Sequence, residues 1–109
     1  LAAVRGGETA RPAVATAVRW TLQCLAGEVP GNSVEVRVPP FAAIQAVPGP
    51  RHTRGTPPNV VETDATTWLA LASGELTWAE AVAQSRVSAS GSRADLTAFL
   101  PVRLPAPGA

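Results

Sequence analysis

Residues 63–100, TDATTWLALASGELTWAEAVAQSRVSASGSRADLTAFL, decide the fold. Asp64 or Thr63 can cap a helix whose apolar positions are Trp68, Leu71 and Ala72, and Gly74 closes it. Thr77 and Glu80 stand three apart, the spacing at which each side chain satisfies a free amide of the other's turn. Behind them Trp78, Ala81 and Val82 line one face of a second helix. Residues 86–90 predict a strand with Val87 and Ala89 inward, and Gly91 turns it. Ser92 and Asp95 repeat the capping pattern before a last helix lined by Leu96, Phe99 and Leu100, which Pro101 stops.

Upstream, the spacing predicts an amphipathic helix from about Thr9. Val14, Val18, Thr21, Leu22 and Leu25 share a face, Arg19 and Gln23 take the wet one, and Gly27 is the expected stop. Trp20 and Cys24 sit four apart on a flank, Trp20 expected to be partly buried against the sheet and Cys24 to be inert filler. Residues 33–38 alternate, with Val34, Val36 and Val38 opposite Glu35 and Arg37, which reads as a half-buried strand ended by Pro39-Pro40. Residues 41–47 form a second strand with weaker alternation, and residues 59–63 a third. Between them PRHTRGTPPN, residues 50–59, has the composition of a loop or an irregular edge. Residues 1–8 and 101–109 are expected to be loose tails. The whole, residues 1–109, is one domain with one core.

Composition excludes several chemistries. All nine basic residues are Arg, scattered along a chain of net charge +1, which argues against nucleic acid as a partner. Without Lys, neither a Schiff base nor a phosphate-loop lysine can form. One Cys and one His rule out a zinc site built on several such ligands, so no metal or cofactor is expected. Apolar runs are far shorter than the ~20 residues of a membrane span. The opening, LAAVRGGETARP, lacks the basic flank and apolar run of a signal peptide, and the lone Cys fits a reducing compartment, so the expected location is cytoplasmic. His52 with Asp64 or Asp95 and a Ser could be drawn as a triad, but no nucleophile elbow is present, and Ser and Asp stand where caps belong. The expectation is a protein that is not an enzyme.

In order and spacing, Val60–Thr63, Trp68–Gly74, Trp78–Val82, Val87–Gly91 and Asp95–Leu100 resemble the sterol carrier protein type 2-like domains, in a bacterial branch where a stretch like RHTRGTPPN precedes the third strand. The resemblance covers the C-terminal half well and the N-terminal half by element order. It implies an α/β chain of the α+β type: a mixed, mainly antiparallel sheet of four to five strands covered by helices. It also implies an apolar cavity for a sterol, fatty acid or acyl chain, bound as cargo by a lipid carrier.

Cavity candidates are Leu22, Phe41, Ile44, Trp68, Leu71, Trp78, Val82, Leu96 and Phe99, each of which also reads as ordinary core. Arg51, His52 and Arg54 could grip a carboxylate or phosphate head group, or simply be a solvated loop. The expected partner is a lipid or other apolar small molecule. The alternative is a non-catalytic accessory module with a filled core, acting as a homodimer or beside an upstream enzyme.

Overall fold

A computed structural model of the chain describes residues 11–49 and 59–103. Helix α1 (Arg11–Glu28) buries Ala15, Val18, Thr21, Leu22 and Leu25, the stripe expected from helical spacing. It runs through Gly27 rather than stopping there. The Val29 amide still reaches the Leu25 carbonyl at 2.9 Å, and it is Pro30, with no amide hydrogen, that prevents another turn.

Strands β1 (Val34–Val38) and β2 (Ala42–Ala46) form an antiparallel hairpin across Pro39, Pro40 and Phe41. The Phe41 amide donates to the Val38 carbonyl at 2.9 Å, which closes the turn. Strand β3 (Asn59–Thr63) lies parallel to β1 on its other side, and β4 (Val87–Ser90) pairs antiparallel with β3. The described sheet is therefore four-stranded and mixed, in the order β2-β1-β3-β4, an α+β fold with two of three pairings antiparallel.

Strand β1 occupies the protected centre, and its Val34, Val36 and Val38 are wholly buried. Period-two alternation puts Glu35 and Arg37 on the opposite face, level with Glu62 of β3. Ion pairs of 3.2 Å (Arg37 to Glu35) and 3.8 Å (Arg37 to Glu62) join these charges across that face.

Helix α2 (Ala65–Ser73) is capped by Asp64, whose carboxylate accepts from the Thr67 amide at 2.8 Å, and closed by Gly74 at φ 86°. Helix α3 (Trp78–Ala83) carries the expected capping box between Thr77 and Glu80. The two long helices meet in the core: the Trp68 indole of α2 donates to the Thr21 hydroxyl of α1 at 2.8 Å, and that hydroxyl donates to the Ala17 carbonyl at 2.7 Å.

Three further expectations need correction. The last helix is a single 3-10 turn (Thr97–Phe99): Asp95 spends its carboxylate on the Thr97 amide, and Pro101 leaves too little chain for a helical nucleus. Ala89 is exposed and Val87 only half-buried, because β4 is an edge strand that α3 does not cover along its length. Trp20 is 41% exposed on α1. Residues 101–103 are held rather than loose. Val102 is buried, its amide bonds the Ala72 carbonyl at 3.1 Å, and the Arg103 amide bonds Glu28 at 3.0 Å.

Candidate functional site

The nine apolar candidates divide by location. Leu22, Trp68, Leu71 and Leu96 are closed off from solvent within the core cluster. Phe41, Ile44 and Phe99 are half-buried and pack against that core from its margins. Phe41 is also faced by the Arg11 guanidinium, 5.2 Å from the ring centroid. Val82 does not join them: it is 50% exposed, because six-residue α3 turns only Trp78 and Ala81 inward. Arg51, His52 and Arg54 lie outside the described residues.

Trp78 leads to a different place. Gly74, Leu76, Thr77, Trp78, Ala79, Thr97, Leu100 and Pro101 enclose a cleft of about 220 Å³. None of these residues is charged, and Leu76, Trp78, Leu100 and Pro101 make most of the wall apolar. Local sequence builds one side. Gly74 adopts the left-handed conformation that ends α2, the Leu76 amide returns to the Ala70 carbonyl at 3.2 Å, and Thr77 starts α3. The other side comes from the C-terminal segment, which the Val102–Ala72 hydrogen bond draws against α2 so that Pro101 faces Gly74.

Two carboxylates are tied to this lining. Glu80 accepts from the Thr77 amide at 2.9 Å, and Asp95 accepts from the Thr97 amide at 2.8 Å. Those hydrogen bonds favour the charged forms and hold both groups below the usual carboxylate range. The Cys24 thiol is shifted the other way, upward, by burial and then by the neighbouring Glu28 charge, so it stays a thiol at neutral pH.

Of the expected site residues only Trp78 lines the cleft. Thr97, Leu100 and Pro101 were not expected there, because the pairing of Pro101 with Gly74 spans a separation that no local pattern marks. Leu76 was the one further signal: an apolar residue between a helix stop and a helix cap needs something to pack on.

A second concavity, about 510 Å³, lies between Arg37, the Pro39–Pro40 turn and Glu62. It is an open, partly charged trough. Among the described residues, no three or more His, Cys, Asp or Glu side chains gather as metal ligands, and no helix is long and apolar enough to cross a membrane. Residues 10–102 match the family described as bacterial SCP ortholog. No curated protein matches the chain.

Proposed function

Because the chain belongs to the bacterial SCP ortholog family, the bacterial sterol carrier protein-like domains, over residues 10–102, we propose that it is a cytoplasmic lipid-binding or carrier domain that takes the apolar tail of its cargo without catalysis. The observation that carries this is the uncharged, largely apolar cleft between the α2–α3 turn and the C-terminal segment. At about 220 Å³ it falls below the ~300–1,000 Å³ of ordinary small-molecule sites, which suits one short acyl tail better than a whole sterol. Each methylene it buries contributes about 0.8 kcal/mol, so binding needs no special polar group. After the entropic cost of association, affinities in the high-micromolar to millimolar range are expected, roughly −4 to −6 kcal/mol. The proposal of a non-catalytic role is supported by Glu80, whose carboxylate is engaged in a capping box, and by Asp95, whose carboxylate is engaged by the Thr97 amide.

Titration with the neutral dye Nile red, followed by displacement with octanol, tests the reading. Saturable binding is expected, and Ala79→Arg should abolish it; Ala79 is exposed, so the change blocks the cleft without disturbing the core. Dye binding that is absent, or indifferent to Ala79→Arg, would remove the cleft from consideration.

A second reading, a filled-core accessory module working through protein contacts, is favoured by the closure of Leu22, Trp68, Leu71 and Leu96 and by exposed Trp20. Concentration-dependent sedimentation that Trp20→Ser abolishes, together with no dye binding, would select it.

A further inference from the structure

The cleft has a polarity of charge as well as a shape. Its eight lining residues are neutral, yet two of them, Thr77 and Thr97, stand on opposite walls and each donates its backbone amide to an acidic side chain. Glu80 is further fixed by the Thr77 hydroxyl, which accepts from the Glu80 amide at 3.1 Å, so the capping box holds its carboxylate in place. Asp95 is fixed by its turn onto Thr97. Both groups ionise more readily than ordinary carboxylates, so they carry charge at neutral and mildly acidic pH. Among the described residues, the two carboxylates that accept from these wall amides are therefore both negative.

We infer that the cleft selects an apolar tail bearing a cationic head, an alkylammonium type of ligand, and disfavours the carboxylate head of a fatty acid. The inference rests on the reading of the cleft as a tail-binding site and names the class of ligand that site prefers. An apolar tail seated between Leu76, Trp78, Leu100 and Pro101 leaves its head at the cleft mouth, within the field of Glu80 and Asp95. A cation gains there from two carboxylates, whereas an anion is repelled by both. In water a pair of unit charges interacts weakly even at short range, and salt weakens it further. Replacing an anionic head with a cationic one reverses the sign of two such interactions at somewhat longer range, so a discrimination of roughly tenfold is expected at low salt.

Displacement of Nile red by octylammonium, octanol and octanoate separates the outcomes, because tail length is constant and only the head changes. Octylammonium should displace at roughly tenfold lower concentration than octanoate at low ionic strength, with octanol between them, and the gap should narrow in 1 M salt, where the screening length is about 3 Å. The double variant Glu80→Gln, Asp95→Asn keeps both hydrogen-bonding side chains and should bring the three ligands toward equal potency. Octanoate matching or exceeding octylammonium would overturn the charge selection while leaving the cleft intact. A preference that persists in the double variant would overturn it too, by placing its origin elsewhere. Failure of all three ligands to displace a dye that does not bind would instead remove the tail-binding reading on which the inference stands.

Discussion

The indole of Trp68 reaches across the core to the Thr21 hydroxyl, and both partners are shut off from solvent. A buried N–H without an acceptor forfeits its hydration with nothing in return, at a cost of about 1–3 kcal/mol. Thr21→Val, nearly the same shape, should therefore lower unfolding stability by about that amount, while Thr21→Ser keeps the acceptor and should lose less; urea unfolding of the three proteins measures it. That Trp68 and Leu22 are core was legible from helical spacing. That Thr21, on the same stripe, supplies a polar contact joining α1 to α2 was not, since periodicity marks a face and says nothing of the atom across from it. Trp20 shows the reverse difficulty. Its size argued for burial, but it falls one position outside the stripe of Val18, Leu22 and Leu25 and is left 41% exposed.

At the scale of elements, caps and stops were the most legible features because they are local. Asp64, Gly74 and the Thr77–Glu80 box all act within one turn. Glycine was less decisive than it looked, and two positions separate its roles. Gly27 lies inside α1, with nothing within 4 Å of where a Cβ would stand, so Gly27→Ala should stabilise by about 0.5–1 kcal/mol through reduced freedom of the unfolded chain. Gly91, at φ 99°, has Asn59 where a Cβ would be placed, and Asn59 bonds the Ser33 carbonyl at 2.7 Å and the Arg93 amide at 3.0 Å. Gly91→Ala should cost about 1–3 kcal/mol, so the two thermal midpoints should move in opposite directions. The last helix was misjudged for a related reason: residues 92–100 have helical composition, but Asp95 satisfies the Thr97 amide locally and Pro101 closes the other end. Strand β4 has inward-reading residues but only a partial helical cover, a matter of neighbours rather than of its own alternation.

Across the whole molecule, one face of the sheet carries helices and the other carries Glu35, Arg37 and Glu62, so its two kinds of charge contribute differently to stability. The ion pairs on the open face are half-exposed and worth about 0–1 kcal/mol each. The Glu80 and Asp95 carboxylates contribute on the acid limb instead. Each has a folded pKa below its ordinary value, 4.5 for Glu80 and 3.8 for Asp95, so its contribution is complete above that value and is lost as pH falls through the folded one. Urea midpoints measured from about pH 6 down to about pH 3 should decline for the parent protein, and Glu80→Gln with Asp95→Asn should flatten that decline. The mixed sheet and its helical cover could be read from the chain, while the cleft could not, because three of its eight lining residues, Thr97, Leu100 and Pro101, arrive from the far end of the described chain.

That late arrival has a consequence in time. Val102 docks on Ala72, and the Arg103 amide on Glu28, a separation of 75 residues along the chain. A ribosome releases the polypeptide N-terminus first, and α1, the hairpin and α2 are all outside the exit tunnel before residue 103 is. The growing chain must therefore carry the Gly74–Trp78 wall uncovered until residues 97–103 emerge, so the cleft is completed later than the rest of the described fold.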